Sequence, residues 1–371
     1  MSNSSERIWK FGRSHMTVLD RIAIDGNVIM VDDLADMDPS QLTGQTSAVV
    51  YVSKGWATHV EIICRTRGVH LLHVSELGDG GSISLQRAIG RCDIGAFRNL
   101  QSGFQVSIAG SDDLEGLDLT RVRSVFIRME HLMYRAIQLS GMIPRSPEVL
   151  AVQVRDEIAI LDEALPGRIR LLVRGLDLRS DDVSLAPLFR RSPEPNPELG
   201  VHGLRYLLEN PEWVSLEREI LATMSDRTSY AVPFVTSERE YRDFERSYAP
   251  GLPSLSPFIE SPGALRQIVS LSRSATTCSV GLKDVAQLYF GADRGNSQTV
   301  MNLDLNSREF VRFVADSVSP MLAGDCHVAI YQSLDMLDVY ARALGTLGWK
   351  PSIAAAEFKL MTEACNMESA A

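Results

Sequence analysis

Charged side chains that could bind a small anion or a metal recur where short apolar runs end. The residues concerned are Arg128, Arg174, Glu260, Lys283 and Asp284, and Arg294 follows shortly after the last of them. Arginine forms paired hydrogen bonds with phosphate and carboxylate groups, and carboxylate oxygens are ligands that suit Mg²⁺ or Mn²⁺. If the fold gathers these side chains, the sequence predicts a divalent-cation site beside an anion site. The alternative is that each is a solvated charge or a surface ion pair.

The apolar runs that precede these residues alternate with amphipathic segments. The strand-like runs are 104–109, 122–128, 168–174, 230–235, 255–260, 276–283, 327–331 and 351–354. Helical segments include 148–164, 237–248, 262–272, 308–322 and 334–347. Eight strands alternating with helices favour a (β/α)₈ barrel, although a doubly wound open sheet also alternates. In a barrel the carboxyl ends of the strands share one mouth, which would bring the charged residues together.

The part of the chain before the barrel has the pattern of a smaller α/β domain. Residues 1–15 are polar and are predicted to be disordered. We expect the small domain to span residues 16–100, with a turn at 78–81 and a linker near 98–103, and the barrel to span 103–371.

A histidine in the small domain is a further candidate for chemistry. The β-branched run 48–52 reads as a buried strand, Gly55 interrupts it, and Thr58 could cap a helix that continues to Arg65. His59 would then lie in the first helical turn, where free backbone N–H groups favour an anion. The alternative is an ordinary surface or capping histidine.

The composition of the chain argues against several classes of protein. The net charge of −10 argues against nucleic acid as the main partner, because a protein must neutralise phosphates to bind it. The five cysteines are scattered and have no metal-ligand spacing, so neither a disulfide framework nor a zinc site is expected. No signal peptide or membrane span is visible, and the expected location is the cytoplasm.

Six segments resemble motifs of the phosphoenolpyruvate-utilising enzymes, the family of phosphoenolpyruvate synthase, pyruvate phosphate dikinase and enzyme I of the sugar phosphotransferase system. Gly55-x-x-Thr58-His59-x-x-Ile62-Ile63-x-Arg65-x-x-Gly68 is similar to the motif around the family's phosphorylated histidine. The other segments are 126–131, 174–177, 196–206, 258–262 and 279–287 with 292–296. They occur in the order of the family's barrel motifs.

The resemblance implies a swivelling phosphohistidine domain followed by a TIM barrel that binds phosphoenolpyruvate or pyruvate. It implies phosphate on His59 and Mg²⁺ or Mn²⁺ on Glu260 and Asp284. The substrate would be held by Arg128, Arg174, Lys283 and Arg294. A homodimer through the barrel is also implied. No segment resembles the family's nucleotide-binding domain, so a separate phosphate acceptor or nucleotide-binding protein is expected.

Several positions depart from the family pattern. They are Lys54, Glu61, His202, Lys283 and the seventh strand. His202 replaces an arginine and would bind an anion more weakly. The family's proton-donating cysteine is missing at the end of the seventh strand, where Tyr331 and Gln332 stand, while Cys326 lies at the start of that strand.

Three functions are therefore open. The first is a phosphotransferase that moves phosphate between phosphoenolpyruvate and His59. The second is an enzyme of changed chemistry that stabilises an enolate or uses a related keto acid. The third is a regulatory protein that binds phosphoenolpyruvate without turnover.

Overall fold

The computed structural model of the protein describes most of the chain. The described residues are 27–34, 37, 39–43, 45–53, 58–73, 94–140, 144, 146–180, 188, 192, 194–294, 296, 298–324, 326–332 and 336–370. The predicted disordered segment 1–15, Lys54, Gly55 and the predicted turn at 78–81 lie outside them. Within this part of the chain, no helix is long and apolar enough to cross a membrane.

The eight predicted barrel strands are present and close into one parallel barrel. The strands are β4 (Phe104–Ser107), β5 (Val122–Arg128), β6 (Arg170–Arg174), β7 (Thr228–Val235), β8 (Ser254–Ile259), β9 (Thr277–Gly281), β10 (His327–Tyr331) and β11 (Trp349–Ala354). They follow one another in chain order around the barrel, and β11 pairs with β4 to close it. The predicted barrel is confirmed, and the open-sheet alternative is wrong.

A smaller parallel sheet precedes the barrel. Its strands lie in the order β1 (Asn27–Asp33), β2 (Thr46–Ser53) and β3 (His70–His73). Helix α1 (Thr58–Arg67) connects β2 to β3 and buries Val60, Ile63 and Cys64. The predicted strand and helix around His59 are therefore present, and His59 is the second residue of α1.

Helices surround the barrel and in most cases follow the predicted segments. Helices α2–α7 are Ile94–Asn99, Met129–Ser140, Pro147–Ala164, Gly203–Glu209, Pro211–Leu221 and Glu238–Tyr248. Helices α8–α13 are Pro262–Leu265, Ile268–Leu271, Leu282–Phe290, Arg308–Val318, Leu337–Leu344 and Ala355–Ala370. The single helix predicted at 262–272 is divided into α8 and α9.

One boundary differs in a way that affects the site. The sequence places Lys283 and Asp284 at the end of the sixth barrel strand, but β9 ends at Gly281 and α10 begins at Leu282. Both residues therefore lie in the first turn of a helix. Gly281, at this boundary, lies against Glu260: a Cβ at residue 281 would lie 2.9 Å from the Glu260 Cγ atom.

The segment between the two sheets packs on the barrel. The ring of Phe97, in α2, lies 4.5 Å from that of Phe104 and 5.8 Å from that of Phe358, measured between centroids. Arg98 donates a hydrogen bond to the Cys365 carbonyl. The predicted linker at 98–103 thus begins inside a helix that contacts the barrel.

The inside of the barrel has an apolar layer beneath its carboxyl end. Phe126, Leu172, Ala231 and Phe258 form it, and Tyr331 packs against it. Phe126 and Phe258 stack with ring centroids 5.5 Å apart. This layer separates the mouth of the barrel from the polar residues deeper inside.

A buried carboxyl group on α6 supports β6 from outside the barrel. Glu217 accepts hydrogen bonds from the Leu176 N–H, at 2.7 Å, and from the Tyr230 hydroxyl. Burial raises the pKa of Glu217 to about 7. Since an unfolded glutamate has a pKa of about 4.3, the folded protein keeps a proton that the unfolded chain loses as the pH rises.

We expect Glu217→Gln to remove this pH dependence. Its unfolding free energy relative to the wild type should increase by about 2–3 kcal/mol between pH 4.5 and 8, because only the wild type must bury an increasingly ionised group. Urea unfolding across this range measures the difference. Glu212→Gln, at an exposed position of the same helix, is the control and should show no such trend. A constant difference for Glu217→Gln would contradict the assignment.

Candidate functional site

A cavity of about 340 Å³ lies at the carboxyl end of the barrel. The six charged barrel residues predicted from the sequence all line it: Arg128, Arg174, Glu260, Lys283, Asp284 and Arg294. Its opposite wall comes from the small domain, through Glu61, Ile62, Arg65, Thr66 and Leu71. The cavity is thus enclosed between the two domains.

Arg128, at the end of β5, is a buried cation without a counter-ion in direct contact. Its Nε and Nη1 atoms have no hydrogen-bond partner within the described part of the chain. The guanidinium lies 4.9 Å from the centroid of the Phe126 ring. Burial and the positive charge of Arg174 lower the pKa of Arg128 to about 10. An anion in the cavity would supply the missing hydrogen-bond acceptors.

Arg174, at the end of β6, is held by three carboxylates. It contacts Glu130, and its Nη1 atom lies 3.2 Å from Asp177 Oδ2 and 3.6 Å from Glu260 Oε1. Burial by itself would lower the pKa of Arg174, but these carboxylates raise it above its ordinary value. Arg174 therefore remains charged, and most of its hydrogen-bonding capacity is used within the protein.

Glu260, which follows β8, is fixed by the backbone of β7. Its Oε2 atom accepts a hydrogen bond of 2.9 Å from the Phe234 N–H. Among the described residues, Phe234 is the non-glycine residue with a positive φ, 45°. Such a conformation is costly, and here it directs an N–H group toward the carboxylate. The strained residue is thus part of the mouth of the barrel.

Glu260 lies close to other acidic groups. Burial raises its pKa well above the ordinary range, and the negative charges of Asp284 and Asp177 act in the same direction, against the pull of Arg174. A cation would relieve this repulsion. In the described residues no group of three or more histidine, cysteine or acidic side chains could hold a metal.

A second charged network lies on the side of the cavity formed by α10. Arg294 Nη1 is 2.9 Å from Asp284 Oδ1, and Arg294 Nη2 is 3.7 Å from Glu198 Oε1. Glu198 also contacts Arg179. The sequence reasoning did not select Arg179 or Glu198. Glu198 lies inside the 196–206 motif, so that motif was the available signal, whereas Arg179 follows β6 by five residues in a stretch without periodicity.

Lys283 faces the cavity from the first turn of α10. Its side chain remains accessible to solvent there, and it has no ion pair in the described part of the chain. The positive charge of Arg65, and with it that of Arg294, lowers the pKa of Lys283 to about 8. Three cations from both domains therefore converge on this wall.

His202 does not act as the anion partner that the sequence suggested. Its Nε2 atom donates a hydrogen bond of 3.0 Å to the Glu198 carbonyl, and Nδ1 lies 2.8 Å from Asp177 Oδ1. Burial would lower the pKa of His202, but Asp177 and the carbonyl raise it above its ordinary value. Both ring nitrogens are thus occupied by acceptors within the protein.

The end of β10 presents Tyr331 and Gln332 to the cavity. The Tyr331 ring lies 4.6 Å from that of Phe126 and 4.8 Å from that of Phe258. Its hydroxyl and the Gln332 side-chain amide have no hydrogen-bond partner among the described residues. Cys326 precedes β10 and so lies at the opposite end of the barrel, as the sequence indicated.

His59 is placed by its backbone. Glu61 and Ile62, two and three residues after it in the first turn of α1, line the cavity. The first turn of α1 therefore borders the cavity, while the His59 side chain lies outside what the structure describes.

Comparisons with known proteins agree with this geometry. A multiphosphoryl transfer protein from Xanthomonas campestris pv. campestris is 30% identical over 237 residues, which are 61% of this chain and 26% of that protein. A phosphoenolpyruvate-protein phosphotransferase from Streptomyces coelicolor is 32% identical over 140 residues, which are 36% of this chain and 24% of that protein. The chain spans about a quarter of the length of these relatives.

A family model described as "PEP-utilising enzyme, PEP-binding domain" matches residues 87–331, about two-thirds of the chain. The match includes Arg128, Arg174, Glu260, Lys283 and Asp284. It extends over the barrel from before β4 to the end of β10. The chain therefore belongs to the family of phosphoenolpyruvate-utilising enzymes.

Proposed function

We propose that this protein transfers a phosphoryl group between phosphoenolpyruvate and His59, with Mg²⁺ or Mn²⁺, and passes it to a separate acceptor. The observation that carries the proposal is Arg128, a buried guanidinium at the cavity whose Nε and Nη1 atoms have no hydrogen-bond partner in the described chain. A buried, unpaired cation is costly to maintain and is expected at a site that binds an anion.

The cavity suits a ligand with two anionic groups. Arg128, with the free Nε of Arg174, offers donors above the apolar layer of the barrel. Lys283 and Arg294 offer positive charge on another wall. A small molecule that carries a carboxylate and a phosphate would contact both groups of cations. The phenyl rings of Phe126 and Phe258 beneath it would exclude water.

Glu260 and Asp284 fit a bound Mg²⁺ or Mn²⁺. Both offer hard oxygen ligands, and Mg²⁺ commonly binds one or two carboxylates together with water and substrate oxygens. The crowding of Glu260 with Asp284 and Asp177 supports this, since a cation would favour the ionised carboxylates. When bound, the cation would neutralise charge on the phosphate and on the enolate oxygen.

The residues of the chain itself would act mainly by position and charge. His59 would attack phosphorus as the bond from phosphorus to the enol oxygen breaks, and the enolate that leaves would take a proton at carbon. Arg128, Lys283 and Arg294 would stabilise the charge of the group in transit. Free N–H groups of the first turn of α1 would favour the phosphate on His59.

The partners of this reaction remain predictions. A separate phosphate acceptor or nucleotide-binding protein is the expected partner, and the names of the two relatives, both phosphoryl-transfer proteins, support such a role. We further expect a homodimer formed through the barrel and a cytoplasmic location.

A second candidate is a family member with altered or lost turnover, for enolate chemistry or regulation. It is favoured by the residues at the end of β10, where Tyr331 and Gln332 stand in place of the family's cysteine. Burial raises the pKa of the Tyr331 phenol well above its ordinary range, so it is a weak acid. Such a protein would bind phosphoenolpyruvate or a related keto acid without using His59.

Labelled phosphoenolpyruvate separates these candidates. Incubation with Mg²⁺ should place an acid-labile, base-stable phosphate on the wild type, detected as one added phosphate in the intact mass and located on His59. His59→Ala should carry none. An unlabelled wild type would contradict the transfer. Turnover of a keto acid that survives His59→Ala but is abolished by Asp284→Ala would favour the second candidate.

Arg128→Met should separate binding from stability. Removal of the unpaired buried cation should raise the unfolding free energy of the ligand-free protein by about 1–3 kcal/mol, while affinity for phosphoenolpyruvate should fall by at least about tenfold. Denaturant unfolding and calorimetry measure the two effects. Arg123→Met, at an exposed position near the other end of β5, should leave the affinity unchanged. Lower stability together with full affinity would contradict the role of Arg128.

A further inference from the structure

Beside the cavity, one arginine of α1 joins the small domain to the barrel. Arg65 Nε donates a hydrogen bond of 3.0 Å to Glu357 Oε1, and Arg65 Nη2 donates one of 3.0 Å to Glu357 Oε2. The same Nη2 lies 3.2 Å from the carbonyl oxygen of Gln332, the residue after β10. Two parallel hydrogen bonds of this kind fix orientation as well as distance.

The Glu357 carboxylate is held in place by its surroundings on the barrel. It is buried, with 5% of the residue exposed, and lies in the first turn of α13. Its Oε2 atom also lies 3.4 Å from the Ala354 N–H, at the end of β11. The amino end of a helix favours a carboxylate, so Glu357 is a fixed anchor on the barrel rather than a flexible surface group.

The attachment lies at the wall of the cavity. Arg65 lines the cavity, and its charge is the main influence of the small domain on Lys283. Arg294 adds a third positive charge on the same side. Bringing Arg65 to Glu357 therefore brings it toward two other cations. An anion in the cavity would reduce this repulsion, and docking and anion binding should favour each other.

A second set of contacts tethers the small domain to the barrel at a place outside the cavity. Arg67 Nη1 donates to the Leu42 carbonyl at 2.6 Å, and Gln138 Nε2 donates to the same carbonyl at 2.9 Å. Arg67 Nε lies 3.7 Å from Asp113 Oδ1. None of these residues lines the cavity, so this tether does not depend on what the cavity holds.

We propose that Arg65 and Glu357 are positioning residues that hold the first turn of α1, and with it His59, against the cavity when an anion occupies it. The effect of this docking on phosphoryl transfer to His59 rests on the proposed function. The docking itself can be tested without turnover. Glu357 lies beyond the residues that the sequence motifs selected and touches neither substrate nor metal in the proposed reaction.

Hydrogen–deuterium exchange on the full chain tests the attachment. Glu357→Gln keeps the shape of the side chain but removes its charge, and loss of a charge-assisted pair should raise exchange of the α1 amides by roughly tenfold or more. Glu363→Gln, at an exposed position of α13, is the matched control and should leave exchange unchanged. Exchange of α1 at the wild-type rate in Glu357→Gln would overturn the proposal.

Inorganic phosphate tests the coupling. Phosphate should slow exchange of α1 in the wild type, and this protection should be lost in Glu357→Gln. By reciprocity, Glu357→Gln should weaken phosphate binding by the same factor by which phosphate protects docking. In the exchange of α1 without phosphate, Arg65→Gln should behave similarly, and the double variant should show little further loss of protection, because both changes break one contact. Additive losses would overturn the pairing.

Labelling of His59 distinguishes this proposal from the transfer reaction. Glu357→Gln should lower the rate of labelling at saturating phosphoenolpyruvate, while Glu363→Gln should not. If the wild type is never labelled but α1 is released in Glu357→Gln, the proposed function fails and the attachment stands. If Glu357→Gln is labelled at the wild-type rate, the positioning role is overturned even though the transfer occurs.

Discussion

The mouth of this barrel depends on one buried guanidinium, that of Arg174, held among Glu130, Asp177 and Glu260. Four charges of mixed sign share a site from which water is largely removed. Any one of them alone would be costly to bury, and together they are tolerable only because each faces an opposite charge. The positions of β6, β8 and α3 at the carboxyl end are fixed by this arrangement, since each supplies one member.

Two arginines at neighbouring strand ends have opposite roles because their surroundings differ. Arg174 is neutralised within the protein, and Arg128 is not. A protein selected for stability alone would supply Arg128 with an acceptor or replace it with an apolar residue. A buried cation at this position is understandable if a bound ligand supplies the missing hydrogen-bond acceptor. The protein then has a lower free energy of unfolding without ligand but a higher affinity for the ligand.

The same reasoning extends to the small domain. Its helix α1 places a cation, Arg65, beside Lys283 and Arg294, and the fixed carboxylate of Glu357 pairs with Arg65 and offsets part of the repulsion. The cavity therefore gathers positive charge from both domains. In the phosphoenolpyruvate-utilising family, to which the chain belongs, such a convergence agrees with a phosphate that passes between a histidine on one domain and a substrate on the other.

Much of this protein could be predicted from its sequence. The alternation of apolar runs and helices predicted the eight strands, and six charged residues at or shortly after the predicted strand ends do share one cavity. Both predictions succeed because burial on parallel strands and the common direction of their carboxyl ends are local or topological rules. The helix that carries His59 was also predicted from the sequence, although Thr58 is the first residue of that helix and not the residue before it that would cap it.

Tertiary structure decided what those residues can do. Only folding reveals that Arg174 is already occupied, that His202 bonds to internal acceptors, and that two nitrogens of Arg128 find no acceptor among the described residues. Only folding brings Arg65 to Glu357, which is 292 residues further along the chain. Residue type and spacing fix the charges that a chain carries, whereas the cost and the use of each charge depend on burial and on partners that are remote in sequence.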